Sequence, residues 1–554
     1  MNARTLAGLL RTRADDAGDE LGVRFHEGGS WVAWTWAEYW EQARRVAVAL
    51  HADGMRPGDR VLLLAPDVRA AVAGHFGAWA LGAIPTHVGL PYRLTDPGAF
   101  IEQLRATARS LDASTLLVSR TIAPFAQRRE GERLLVIEDL LEANVAGDLP
   151  HPDEVPAPPL VQLTSGSTGH PRAVVVPHER LVRHLANIAH GLPAGDRATG
   201  VTWLPLYHDM GLIGGLLYPF ATRFPVNVLS PMAFQARPYF WLEVMSEVGA
   251  THTVGPPSAY AILLRVAAKA AEANLRLDRL RCAMIGAEPI SALLLRRFAD
   301  AFAPCGFAPE AFFPVYGLAE ATVAVTFPAQ MAPTRIDRVD RALQEREGRA
   351  EPPASFDSAA IENVGVGAPL RDTEVRVVDG AGHTLPDRRV GEVLVRSATL
   401  MTGYHREPEA TAAAIRDGWL MTGDLGYVAD GALFVVGRSK DVIIKGGHNM
   451  LPEPIEEIAG TVEGVRAGCV AAVGVRVTER ETERAVVVAE TKVDPAGHAV
   501  LAERVREALK ANGISVDEVL LVSPGALPKT TSGKVRRRAV AEALAAGRSP
   551  GAES

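Results

Sequence analysis

The sequence predicts an α/β protein, with a large N-terminal α/β domain followed by a small C-terminal α+β domain. Three observations carry this reading. The chain has 554 residues, more than one hydrophobic core usually serves, which fits one large unit and one smaller one. Through its first part, short apolar runs alternate with amphipathic stretches, the pattern of a mainly parallel sheet covered by helices on both faces. Near residue 438 that alternation gives way to a short, self-contained run of helices and strands.

Taken in order, Ala37 to Gly54 reads as an amphipathic helix and Arg60 to Leu64 as a buried strand. Val68 to Leu81 follows as a helix and Thr115 to Val118 as another strand. The Pro-rich stretch Leu149 to Pro159 is a surface connector into the strand Leu160 to Leu163. Pro328 to Asn363 is polar and charged, with little periodicity. It reads as a long loop or inserted element, which is either functional or disordered. Beyond Gly437-Arg438-Ser439-Lys440, a helix near Glu453 to Ala459 precedes strands at Val470 to Val475 and Ala485 to Thr491. A helix from about Val500 to Asn512 and a strand at Val519 to Val522 complete the small unit.

Composition excludes several classes. Hydrophobic residues make up 47% and charged residues 22%, ordinary for a folded soluble protein. A net charge of −7 carries no nucleic-acid footprint, and the one dense basic run, Arg536-Arg537-Arg538, reads as the solvated face of a helix. Cys282, Cys305 and Cys469 are too few and wrongly spaced for a disulfide framework or a zinc site, so they read as packing residues in a reducing compartment. No signal-peptide core opens the chain, and the longest apolar run, about Met210 to Ala221, is too short to span a bilayer. The expectation is a cytoplasmic protein with no membrane span, either monomer or homodimer. Lysine is scarce, none occurring before Lys269, so the places where it does occur are informative.

Thr164-Ser165-Gly166-Ser167-Thr168-Gly169-His170-Pro171-Arg172 follows one strand and precedes another, Ala173 to Val176. Glycines let the backbone curl with its N–H groups inward, and four hydroxyls add donors, which makes an anion cradle. The Walker A spacing is absent. This loop resembles the signature loop of the adenylate-forming superfamily, which includes acyl-CoA synthetases, fatty acyl-AMP ligases, peptide-synthetase adenylation domains and luciferases. Arg172-Ala173 stands where that family has Lys-Gly.

Five further motifs resemble the family in order and spacing over roughly residues 5 to 540. Trp203-Leu204-Pro205-Leu206-Tyr207-His208-Asp209-Met210-Gly211 is similar to the fatty acyl-AMP ligase form. It implies that His208 sits by the substrate carboxylate, with Asp209 supporting a local turn. Gly211, Gly214 and Gly215 interrupt an apolar run and either open an acyl tunnel or permit close helix packing. By the resemblance, Trp203, Met210, Gly255, Pro256 and Tyr260 line the same pocket. Gly286-Ala287-Glu288 and Tyr316-Gly317-Leu318-Ala319-Glu320 are the segments that flank adenine in the family, where the Tyr ring stacks and Glu320, with Thr164, helps to hold Mg²⁺. Asp424, in Thr422-Gly423-Asp424, and Arg438 are the expected ribose contacts.

Lys440 falls at the family's hinge position, dividing an N-terminal domain (1–438) from a mobile C-terminal lid (442–554) across residues 439–441. Gly446-Gly447 stands where CoA-using relatives line the pantetheine passage, or else forms an ordinary turn. Pro528-Lys529-Thr530-Thr531-Ser532-Gly533-Lys534 is similar to the C-terminal lysine loop. A carboxylate attacking the α-phosphate of ATP brings two anions together, and an ammonium between them relieves the repulsion, so Lys534 is the expected catalytic cation and Lys529 a solvent-exposed neighbour. The resemblance implies ATP-dependent activation of a fatty or bulky hydrophobic acid to acyl-AMP. Transfer to the phosphopantetheine thiol of an acyl carrier protein follows, with free CoA as the alternative acceptor. A degenerate relative that handles acyl-AMP without forming it is a second reading, motivated by Arg172-Ala173 and opposed by Asp424, Arg438 and Lys534.

Overall fold

The computed structural model describes residues 3–90, 96–130, 132–143, 147–164, 171–355, 359–445, 448–476, 483–530 and 533–550. The N-terminal part builds two largely parallel sheets rather than one. Ile84–His87, Arg60–Leu64, Ala113–Val118 and Arg133–Val136 form an all-parallel four-stranded sheet in that spatial order. A seven-stranded sheet runs Phe312–Pro314, Cys282–Ile285, His252–Gly255, Gly200–Thr202, Val226–Leu229, Leu21–Glu27, Ser30–Thr35, and only its last pair is antiparallel.

Local sequence accounts for these elements. The helix Trp36–Ala52 starts at a capping box, in which Thr35 takes the Glu38 N–H and Glu38 takes the Thr35 N–H. Its neighbour Val68–Leu81 is apolar on nearly every side and is buried except at Arg69, as a helix wedged between layers must be. Its residues belong to the largest hydrophobic cluster, which runs on to the strands of the seven-stranded sheet.

Four consecutive strands of the large sheet set up the site. Gly200–Thr202, His252–Gly255, Cys282–Ile285 and Phe312–Pro314 are parallel neighbours. Their carboxyl ends lead directly into Trp203 to Asp209, Pro256 to Tyr260, Gly286 to Glu288, and Val315 to Glu320. Ligands of open α/β sheets bind at such carboxyl ends. A hairpin of Leu160–Leu163 and Ala173–Val176 carries Gly403–Tyr404 as its third strand. An antiparallel sheet follows, with Trp419–Ala429 and Ala432–Arg438 at one side.

The stretch from Pro328 to Asn363 is not a structureless loop. Ile336–Asp340 and Ala360–Val364 pair antiparallel, joined through the helix Arg341–Glu347, and Val339 and Ile361 pack beside Tyr427 and Phe434. Past residue 442 the chain makes its own cores. Val465–Arg476, Glu483–Thr491 and Glu518–Val522 form a three-stranded sheet, with helices Pro452–Thr461, His498–Ala511 and Arg537–Ala545 against it. Among the described residues, no helix is long and apolar enough to cross a membrane.

Candidate active site

The hairpin pinches the ends of the glycine-rich loop together. Leu163 pairs with Ala173, the Thr164 N–H donates to the Arg172 carbonyl at 2.8 Å, and the Arg172 N–H donates to Thr164 Oγ1 at 3.3 Å. Ala173 is thus an ordinary buried ladder position, where a Cβ is accommodated. Ser165, Gly166, Ser167, Thr168 and Gly169 lie outside the described residues. The Arg172 guanidinium sits 5.2 Å from the centre of the Tyr404 ring, with Nε 3.4 Å from Glu407 Oε2. Tyr404 Oη in turn donates to Glu320 Oε1 at 2.8 Å.

The segments after the sheet strands are tightly shaped. A Cβ on Gly286 would approach Val315 Cγ2 to 2.8 Å, and one on Gly317 would overlap the Val323 carbonyl oxygen. Ala287, Thr322 and Val323 hold φ of +66°, +57° and +84°. For β-branched residues this conformation is strained, and such strain gathers where a surrounding structure fixes a functional surface. Glu288 receives the Ser258 N–H at 3.0 Å and its hydroxyl at 3.1 Å.

Asp424 and Arg438 are paired in register on adjacent antiparallel strands, and Arg438 Nε donates to Asp424 Oδ1 at 2.8 Å. The other oxygen, Oδ2, accepts the Tyr316 hydroxyl at 2.7 Å, leaving Asp424 only 5% exposed. Burial first, and then the Asp424 charge, push the Tyr316 phenol well above its ordinary range. Tyr316 therefore stays a neutral donor that fixes the carboxylate, a role the sequence did not announce.

Met210–Leu217 is wound as a π-helix, a form that recurs at functional sites. It borders a cavity whose walls include Ile188, Met210, Gly214, Ala287, Tyr316 and Phe327. The three glycines of this run do different work. A Cβ on Gly211 would strike the Pro205 carbonyl, and one on Gly215 would come within 2.8 Å of Thr202 Oγ1, whereas one on Gly214 would meet nothing within 4 Å. Trp203 stacks on Phe234 at 3.7 Å, Gly255 backs onto Trp241, and Pro256 precedes the helix Pro257–Leu263. Tyr260 donates its hydroxyl to the carbonyl of Met284, itself a cavity residue.

His208 Nδ1 lies 2.8 Å from Asp209 Oδ1, and the Met210 N–H donates to Asp209 at 2.7 Å. Asp209 caps a turn and also reaches the cavity wall. Burial drives its carboxyl upward, but His208, the Met210 N–H and the Lys534 charge outweigh that, so its net shift is downward.

Lys534 occupies a tight turn. Its N–H donates to Thr530 Oγ1 at 3.1 Å, its carbonyl accepts the Thr530 N–H at 2.8 Å, and Lys529 bridges Val535. The residue is half-buried. Burial lowers its pKa and Arg438 lowers it further, opposed by Glu288, Asp209 and Asp424. The chain's far end thus brings a cation among carboxylates from three separate segments of the large unit. Lys529 is not a free surface lysine, because its Nζ donates to Cys469 Sγ at 3.3 Å. Nor is Arg537 part of a solvated face. Its side chain is 19% exposed and pairs with Asp441 at 2.8 Å, Glu453 at 3.0 Å and Glu456 at 2.7 Å. Lys440 sits exposed on the turn Ser439–Asp441, and Gly446 and Gly447 lie outside the described residues.

The donors suit a hard cation. Glu320 Oε2 accepts nothing among the described residues, Thr164 adds a hydroxyl, and no cluster of three His, Cys, Asp or Glu side chains occurs among them. Mg²⁺ is held in that sparse way, by one or two carboxylates plus the phosphates of a nucleotide.

A sequence profile described as AMP-binding enzyme matches residues 10–405. The long-chain-fatty-acid–AMP ligase FadD26 of Mycobacterium tuberculosis is 32% identical over 582 aligned positions, covering 97% of each chain. A structure from a study of fatty acyl-adenylate ligases of E. coli and L. pneumophila superposes with a TM-score of 0.88 at 30% identity, covering 98% of both chains. The fatty acyl-adenylate ligase of L. pneumophila in complex with acyl adenylate and pyrophosphate superposes with a TM-score of 0.74 at 26% identity, over 98% of this chain and 96% of the other.

Proposed function

Because the chain belongs to the AMP-binding enzyme family, we propose that it converts a hydrophobic carboxylic acid to its acyl-adenylate and passes the acyl group to a carrier-protein thiol. The observation that carries this reading is Lys534, whose ammonium feels Asp209, Glu288 and Asp424 beside a cavity with largely apolar walls.

In the first step a carboxylate oxygen attacks the α-phosphorus of ATP, the bond from that phosphorus to the bridging oxygen breaks, and pyrophosphate leaves. Lys534 stands between the two approaching anions, and its lowered pKa reflects a desolvated site in which its charge acts strongly. His208 orients the substrate carboxylate, while Asp424, fixed by Tyr316 and Arg438, accepts the ribose hydroxyls. The segments 286–288 and 316–319 flank the base, and residues 164–169 with Arg172 take the phosphates. Glu320, with Thr164, would hold Mg²⁺, which supplies charge neutralisation at the phosphates.

In the second step the thiol sulfur attacks the acyl carbon and AMP departs. A turn about Lys440 withdraws Lys534 and admits the thiol, so residues 442–554 act as a lid. The setting is cytoplasmic. Carrier-protein use follows the fatty acyl-AMP ligase relatives, and free CoA is the competing acceptor.

The test is a panel of carboxylic acids in ATP–pyrophosphate exchange, followed by CoA and a holo carrier protein offered separately, with products weighed by mass spectrometry. Exchange with an apolar acid and a mass gain on the carrier protein are expected. No exchange with any acid would remove the adenylation step, and acyl-CoA as the sole thioester would remove the carrier.

A further inference from the structure

Tyr404 has no place in the motifs discussed above, yet it touches both ends of the phosphate-handling apparatus. Its hydroxyl donates to Glu320 Oε1 at 2.8 Å, and its ring faces the Arg172 guanidinium at 5.2 Å. Three further contacts hold it in place. Tyr404 pairs with Val174 on the strand that leaves the glycine-rich loop. Its N–H donates to Thr411 Oγ1 at 2.9 Å, and its carbonyl accepts the Glu407 N–H at 3.2 Å. Glu320 is tied to the same segment a second time, because its carbonyl accepts the Met401 N–H at 2.9 Å. Arg180 steadies that segment by donating to the Leu400 and Met401 carbonyls.

We propose that Tyr404 is a positioning residue for the phosphate end of the nucleotide site. Its hydroxyl fixes the Glu320 carboxylate with Oε2 left for a divalent cation, and its ring seats Arg172 at the end of the phosphate loop. A hydrogen bond from a phenol to an ionised carboxylate is stronger than a neutral one and fixes the carboxylate plane. A guanidinium, unlike an ammonium, lies flat on an aromatic face, so this seat suits Arg172 in particular. One rigid side chain thereby keeps the loop and the carboxylate in register. Glu407, 3.4 Å from Arg172 Nε, holds the guanidinium at that seat when no phosphate competes for it.

This inference rests on the nucleotide chemistry proposed above, and its experiment reads binding rather than turnover. Mg²⁺ is titrated into the full-length chain with a fluorescent ATP analogue, alongside a metal-free series in EDTA. Tyr404→Phe removes only the hydroxyl. It should raise the half-saturating Mg²⁺ concentration about 10-fold or more, the usual effect of losing a partner that orients a metal ligand, while metal-free nucleotide affinity stays unchanged. Tyr404→Leu also removes the seat for Arg172 and should weaken metal-free binding as well. In the double variant with Glu320→Gln, Tyr404→Phe should add nothing, since the two act through one contact. A Tyr404→Phe titration that overlays the parent, full additivity with Glu320→Gln, or a parent chain that binds the analogue equally with and without Mg²⁺ would each overturn the proposal. Loss of pyrophosphate exchange for every acid with Mg²⁺-dependent binding intact would instead strike the proposed reaction alone.

Discussion

Gly214→Leu should shorten the acids this protein accepts. Gly214 borders the cavity, and a Cβ there meets nothing within 4 Å, so a leucine side chain can start from this position toward the cavity. Its four carbons displace about four methylenes of an acyl chain, and at about 0.8 kcal/mol per buried methylene the loss is about 3 kcal/mol. At 1.4 kcal/mol per decade, that is about 200-fold in kcat/KM for acids long enough to reach the residue. Acids too short to reach it should be unaffected. The assay is pyrophosphate exchange over a homologous series of straight-chain acids, comparing the length profiles of parent and variant. A uniform fall at every length, or an unchanged profile, refutes the assignment of this cavity to the acyl chain. The neighbouring glycines provide the contrast. Gly211→Ala and Gly215→Ala force a Cβ against the Pro205 carbonyl and Thr202 Oγ1, so they should lower the melting temperature rather than reshape the length profile.

Three other outcomes follow from the site. Lys534→Ala should slow adenylation about 10²–10³-fold, the effect of losing one electrostatic stabiliser, while thioester formation from supplied acyl-AMP survives. An equal loss in both half-reactions of a folded variant would remove Lys534 from its role. Asp424→Ala takes away the acceptor shared by Tyr316 and Arg438 and should weaken nucleotide binding about 10–100-fold, measured by calorimetry. Unchanged affinity would place the ribose elsewhere. Glu453→Gln should raise the melting temperature above pH 7 and leave it unchanged below about pH 4.5. Burial first, then Glu456 and Asp441, push the Glu453 carboxyl up to about 7, with Arg537 pulling the other way. Because the folded pKa exceeds the unfolded one, the cost is absent at low pH, grows as pH rises from about 4.5 to 7, and is complete above 7 at roughly 3 kcal/mol. A variant that melts lower than the parent at high pH would show that the ionised carboxylate is stabilising instead.

Much of this was legible in the sequence because several of its signals are local. The strand–loop–strand at Leu160 to Val176 needs only glycines and flanking β-branched residues, and the elements after Glu453 show clear periodicity. What escaped depends on long-range contacts. The charged alternation of Ile336 to Asp340 reads as loop because one face of that strand lies against solvent, while only Val339 is deeply buried. Arg537 reads as a surface arginine until Asp441, Glu453 and Glu456 arrive from elsewhere in the chain. Tyr404 carries no periodic or compositional mark, since its meaning comes from pairing with Val174 and facing Glu320 across the fold. The glycines at 211, 214 and 215 are chemically identical in the sequence, and only the atoms opposite each one separate packing from open space.

Arg537 sits three residues past Lys534 and grips Asp441, the residue after the proposed pivot. On the proposed rotation at Lys440 the ammonium would therefore move with Asp441, like a crank cast in one piece. The smaller unit's ties to the larger one are mixed: Val442 and Leu451 pack with Phe434 and Val436 in one apolar cluster, and the polar ties are softer. Ser291 to Glu457 and Arg346 to His448 are solvent-exposed polar contacts, each worth about 1 kcal/mol or less. On the proposed rotation, a stiff arm whose polar catches are weak would let the negative charge of the bound ligand bias where the arm rests.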